Sequence, residues 1–227
     1  MSTYRMKLTI AKSLKDILSK DVMLFVIKIA LGSIVLSGAI MYMLWTPLTG
    51  LISSYLSWIP WEWVQNTGAG IVNILLIYIM FTIIVSLLSS LFSEKLLIKI
   101  AKKHYPNSSI VGSPNIATST ILTLKATALF LVLFIVAIPF LFIPILGQIV
   151  MLYLWSILIK KPTIYDVSSL FIFDKQHYKK KSKKATSIAM IASLFNYVPL
   201  LNIFAPVYAQ ILFLHHIFND APPATNH

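Results

Sequence analysis

The chain has 227 residues, of which 58% are hydrophobic and only 11% charged, with a mean hydropathy of +0.82. A soluble domain carries about a quarter charged residues, so composition alone argues for an integral membrane protein. The absence of cysteine excludes disulfides, thiolate catalysis and cysteine-ligated metals. The net charge of +12, from eighteen lysines and Arg5, clusters beside apolar runs and so follows membrane topology rather than nucleic-acid binding.

Residues 4–20 are amphipathic: Ile10, Leu14, Ile17 and Leu18 make one helical stripe, with Lys7, Lys12 and Lys15 off it. The pattern predicts a helix lying on the cytoplasmic surface against anionic headgroups. A first long helix is expected over 22–45. Its apolar run starts too late and runs too long for a signal peptide, and no small-residue cleavage site follows it. Lys28 snorkels back to the interface, and Ser33 and Ser37, flanked by Gly32 and Gly38, mark a helix-packing face. Residues 46–69 hold Tyr55, Trp58, Trp61 and Trp63 but no lysine or arginine, as expected of an external membrane–water interface.

A second long helix is expected over 70–104, its apolar part running unbroken into a basic cytoplasmic continuation with Lys95, Lys99, Lys102 and Lys103. Pro106-Asn-Ser-Ser ends it, and Ser113-Pro114 has the form of a helix start. Two proline-broken apolar stretches follow. The first, over 114–160, is interrupted by Pro139 and Pro144; the second, over 185–218, by Pro199 and Pro206. Between them, 161–184 is a basic cytoplasmic linker. Each arm keeps some twelve to fifteen apolar residues, about 18–22 Å of helix, short of the ~30 Å hydrocarbon core. Lysines at both ends of each stretch then give two hairpins that dip in from the cytoplasmic side. The alternative is four tilted full spans with prolines in external loops, and charge bias does not separate the two.

The fold class is therefore an all-α integral membrane protein: two long transmembrane helices, two proline-broken hairpins read as hemi-penetrating, and an N-terminal amphipathic helix. Paired broken helices point to a transport site, because buried helix ends present free N–H groups and a positive dipole to an anion. The anion-contact candidates are Asn202, Gln210 and Gln148, with Pro139, Pro144, Pro199 and Pro206 as structural hairpin breakers. For Asn202 the competing reading is a cap closing the turn. Neither a metal-binding motif nor a catalytic one is visible, and no cofactor is expected. His215 and His216 are adjacent, cannot form an i, i+4 metal pair, and are expected at the interface. His104 and His177 lie in basic cytoplasmic segments.

The chain resembles the CysZ sulfate permeases and the related etoposide-induced-protein family of membrane proteins. The likeness rests on the start "IAKSLKDILSKDVMLFVIKIALGSIV", the long second helix ending "LFSEKLLIKIAKK", the linker "TIYDVSSLFIFDKQHYKKKSKKA" and the final "VPLLNIFAPVYAQILFLHH". The last is similar to the family's Pro-Leu-(Leu/Val)-Asn…Ala-Pro segment. The resemblance implies two transmembrane helices plus two hemi-penetrating hairpins. It also implies a homo-oligomer that moves sulfate or a similar oxyanion through a bacterial inner membrane rich in anionic lipids, with both termini cytoplasmic. One departure stands out. The family's sulfate-associated Gly-Leu-Arg motif corresponds to Ser19–Phe25 here, which has neither glycine nor arginine. Lys20 supplies a charge without the bidentate fork of an arginine, and Asp21 beside it opposes an anion. The expected function is passive oxyanion transport; the alternative is a membrane scaffold or regulator that binds lipid or a partner.

Overall fold

The computed structural model describes residues 3–57, 60–141, 143–172, 182, 185–198 and 200–218. These residues form helices and loops with no strand: α1 (Thr3–Ile17), α2 (Lys20–Leu56), α3 (Glu62–Phe92), α4 (Glu94–His104), α5 (Ile116–Leu141), α6 (Leu146–Phe171), α7 (Thr186–Ser193) and α8 (Ala205–Phe218). Two 3-10 turns, Leu194–Tyr197 and Leu201–Ile203, join α7 to α8. Three segments are long and apolar enough to cross a membrane: Lys20–Ile52, Val72–Phe92 and Ile116–Ala137. The protein is an all-α membrane protein.

Several boundaries differ from expectation. The amphipathic helix stops at Ile17 rather than residue 20, and α2 runs from Lys20 to Leu56 rather than ending at Trp45. Pro47 lies inside α2 without ending it, and the Thr49 hydroxyl donates to the Trp45 and Thr46 carbonyls in the turn the proline disturbs. Much of the stretch read as an external loop is thus helix. In it, exposed Trp61 precedes α3, which begins at Glu62 with an acid in its first turn. The long second helix is divided at Ser93, whose αR backbone passes the ladder on: its N–H donates to Ser89 and its carbonyl accepts from Leu97. Asn115, not Ser113, caps α5, its Oδ1 accepting from the Thr118 N–H at 3.1 Å. Both arms of the first hairpin run past their lysines, so the start of the expected linker, 161–171, is helical, and Pro162 is buried inside α6.

The core is built around α8. Every residue from Val207 to Ile217 is buried, the pattern of a helix apolar on all sides and enclosed by others. It packs against α1, α3, α4, α6 and α7. α2 lies along α3, with Gly32 close enough that a Cβ would sit 3.7 Å from Leu88, and Ser33 and Ser37 buried. This is the small-residue packing face the sequence indicates. The α1 face that packs on α8 is offset from the apolar stripe: Thr9, Ser13, Asp16 and Ile17 are buried, whereas Leu14 and Leu18 are exposed. α5 lies along α6 and exposes Leu131, Val132, Ile135 and Val136.

Candidate functional site

The two hairpins turn by the same local device. "IPILG" (143–147) and "VPLLN" (198–202) share a proline followed by a large aliphatic residue at positive φ: Ile145 at φ 67°, ψ −52° and Leu200 at φ 71°, ψ −38°. At Ile145 the Leu146 N–H donates to the Pro144 carbonyl at 2.8 Å, the i→i+2 bond of the rare γ-turn. Both side chains are more than 70% exposed, so burial does not hold them there. The tips touch: the Tyr197 hydroxyl donates to the Gln148 carbonyl at 2.7 Å. Of the breakers, Pro139 lies two residues inside the end of α5, Pro144 forms the turn, Pro206 is the second residue of α8, and Pro199 lies outside the described residues.

The sequence-derived anion contacts are not gathered into one place. Among the described residues no hydrogen bond or ion pair joins any two of Asn202, Gln210, Gln148 and Lys20. Asn202 donates through Nδ2 to the Tyr78 hydroxyl of α3, and its buried Oδ1 has no partner among the described residues. It ties the second tip to α3 rather than capping a helix. Gln210 is 5% exposed inside α8, with Oε1 likewise unpartnered. The Gln148 side chain is exposed, and only its backbone carbonyl is engaged. Lys20 is exposed at the start of α2, where its neighbour Asp21 pairs with Lys99 at 2.8 Å.

A cationic pocket lies elsewhere, between α5 and α6. A cavity of about 200 Å³ is lined by Lys125, Lys160, Lys161, Tyr153, Ser156 and Thr186, with Leu129 and Leu133 on its apolar wall. No carboxylate lines it, and none of the three lysines forms an ion pair among the described residues. Lys160 Nζ donates to the Thr186 hydroxyl at 2.8 Å, which fixes the ammonium at the rim. Lys125 and Lys161 are exposed and Lys160 is half-buried, so solvent weakens their mutual repulsion, yet the potential of the space is positive and suited to an anion. Sequence reasoning took these lysines only as flanks of the apolar arms. The clue it passed over is that Lys125 is the one charged residue in a 22-residue helix segment of high hydropathy.

A second polar centre joins three remote parts of the chain. Asp16 lies in the last turn of α1, His104 ends α4 and His215 lies in the last turn of α8. Asp16 Oδ2 is 2.8 Å from His104 Nε2 and 2.8 Å from His215 Nε2; Asp16 and His215 are buried. The Tyr105 hydroxyl is 2.9 Å from His215 Nδ1, and Lys103 Nζ is 3.4 Å from Asp16 Oδ1. Burial acts to raise the Asp16 carboxyl, but hydrogen bonds from His215 and His104 and their charge outweigh it and hold it at about 2. Burial pushes the His215 imidazole below its ordinary value, against the opposing pull of Asp16. Burial, with the Asp16 charge, pushes the Tyr105 phenol up to about 12. His215 and His216 are therefore core residues, not interfacial ones, because α8 is enclosed to its last turn. No sequence spacing signals this cluster, since its members are 88 and 111 residues apart along the chain.

The described residues thus make an all-helical membrane fold with two broken hairpins and a lysine-lined pocket that no carboxylate lines. The family model described as sulfate transporter CysZ/etoposide-induced protein 2.4 matches residues 9–206, and the chain belongs to that family. No curated protein and no solved structure matches it.

Proposed function

We propose that the protein passes sulfate or a similar tetrahedral oxyanion, passively, into the cytoplasm across a bacterial inner membrane. The observation that carries this reading is the carboxylate-free pocket of Lys125, Lys160 and Lys161 in a chain of a sulfate-transporter family. Ammonium groups and the rim hydroxyls of Thr186 and Tyr153 replace part of the anion's hydration, and the apolar wall strengthens each contact. No acidic residue interrupts 22–61, 63–93 or 95–165, so these apolar segments offer no carboxylate proton relay. No nucleotide-binding motif is visible either, and the flux runs downhill.

The hairpins are hemi-penetrating in this reading. Lys125 stands sixteen residues before the end of α5, and Lys160 fourteen after the start of α6, about 21–24 Å from the tip. Ile116–Ala137, counted through Lys125, is long enough to cross. With the lysines of both arms taken at the cytoplasmic headgroup layer, the helix left between them and the tip falls short of the ~30 Å core. Anionic lipids meet the same layer, and the exposed apolar faces of α2 and α5 serve lipid contact and homo-oligomeric packing. A cysteine placed at Ile145 will resist impermeant thiol reagents added from outside; ready labelling contradicts hemi-penetration.

The test of transport is radiolabelled sulfate uptake into proteoliposomes of the purified full chain. Uptake above that of empty liposomes is expected, with a sharp loss in the triple variant Lys125→Gln, Lys160→Gln, Lys161→Gln. Uptake equal to empty liposomes for sulfate and related oxyanions contradicts the proposal.

A further inference from the structure

The Asp16–His104–His215 centre plays no part in the oxyanion reading, yet among the described residues it joins three titratable side chains from three helices. Each residue offers one ligand atom, and these atoms lie within 4.8 Å of one another. The two imidazoles approach Asp16 from different directions, their ring centroids 5.0 Å apart and their planes at 79°. That is the disposition of two ligands around a shared centre rather than of a stacked pair. We propose that Asp16, His104 and His215 bind one divalent transition-metal ion of the zinc class, which clamps α1 to α4 and α8.

The donor set has the right chemistry. Two imidazoles and one carboxylate, without thiolate, form a borderline N2O set of the kind zinc and its first-row neighbours accept, leaving a fourth position for water. Bonds of about 2.0–2.1 Å to a tetrahedral ion put ligand atoms ~3.3 Å apart. The two Asp–His separations of 2.8 Å need to open by about half an ångström, while the two imidazole nitrogens, within 4.8 Å of each other, settle to the same spacing. The surroundings supply the outer support that metal-bound histidines use: with Nε2 on the ion, Nδ1–H of His215 donates to the Tyr105 oxygen 2.9 Å away.

Charge favours it too. One carboxylate with two neutral imidazoles carries a net −1, which a divalent ion turns to +1. Two cations stand nearby. Lys103 approaches Asp16 Oδ1, but its side chain is 59% exposed and has room to turn outward; Lys12 lies over the Tyr105 ring at 5.6 Å rather than on the carboxylate. The ligands come from three elements that meet at one end of the core, so the ion would act as a staple.

The test uses full-length protein in detergent, stripped with EDTA and titrated with Co2+ and then Zn2+. The expected result is one metal per chain, the visible d–d absorption of four-coordinate Co2+, its loss on zinc addition, and a higher unfolding temperature with metal. Asp16→Asn, His104→Gln and His215→Gln each abolish the absorption, whereas His177→Gln keeps it. Should the ligand variants fail to fold, Tyr105→Phe keeps all three ligands and will bind about 10–100-fold more weakly. A wild-type protein that shows no Co2+ absorption and no metal-dependent stabilisation overturns the proposal. So does binding that is unchanged in the ligand variants and in Tyr105→Phe.

Discussion

The two hairpins share one turn and live in opposite surroundings. Each bends after a proline at a large residue with positive φ, Ile145 in the first and Leu200 in the second. Beyond the bend they diverge. The first hairpin's α5 leaves Leu131, Val132, Ile135 and Val136 more than half exposed, while the second hairpin's α8 is buried from Val207 to Ile217. Hydropathy barely distinguishes the two, because lipid and protein interior select the same apolar residues. What separates them is position: α8 is ringed by five other helices, whereas α5 meets chiefly α6. The outer hairpin carries the three lysines of the cationic pocket and the inner one forms the core.

That contrast is open to direct attack. Phe213→Ala empties a fully buried site in α8 and should cost about 3–5 kcal/mol, much of it a packing term that survives in an apolar solvent. Val132→Ala, on the exposed face of α5, should stay within about 0.5 kcal/mol. Unfolding followed in detergent or mixed micelles checks the pair, and equal losses would erase the distinction between the hairpins. The shared turn predicts the reverse kind of result. Ile145→Gly and Leu200→Gly remove exposed side chains from a left-handed backbone and should each stabilise by about 1 kcal/mol. A loss of stability at either site would mean that its bend is not strained.

A smaller effect concerns the side of α6 that meets α3. The Ser90 hydroxyl donates to Asp166 Oδ2 at 3.4 Å, and Oδ1 is buried without a partner among the described residues. Burial pushes this carboxyl above its ordinary value, beyond what hydrogen bonds from Ser119 and Ser90 recover. A carboxyl raised on folding gives stability that is whole below its unfolded value of 3.8 and is lost as pH rises through the folded one. Asp166→Asn should therefore raise the unfolding midpoint at neutral pH and lose that advantage near pH 3. An advantage that persists at low pH would assign the effect to packing.

Much of the membrane fold was legible because periodicity and apolar length are local properties. The all-α class, the presence of an N-terminal helix, the two breaks at proline and the small-residue face of α2 all follow from residues near each other in sequence, whereas the face that α1 buries does not follow its apolar stripe. Boundaries were less legible. Pro47 did not end α2, because a helix packed along α3 outlasts one missing hydrogen bond. Lys125 and Lys160 did not end their arms, because lysine is a good helix former and its long side chain can carry the charge away from an apolar face. The sites were legible least. Asn202 was singled out for its place between prolines, yet its side chain is spent on Tyr78 of α3, a partner 124 residues away. The Asp16 cluster needed three helices to converge, and the lysine pocket needed two arms to align. Neither leaves a spacing that a sequence displays.

The central claim is that the lysines of the outer hairpin, not the tip of the inner one, meet the anion. Equilibrium binding of radiolabelled sulfate to purified protein tests it most directly. Lys125→Gln with Lys160→Gln should weaken binding at least about tenfold, because a hydrogen bond to a charged group is worth about 1.5–3 kcal/mol. Asn202→Ala should leave the affinity near that of the wild type. Unchanged binding in the lysine variant, with binding lost in Asn202→Ala, would contradict the account.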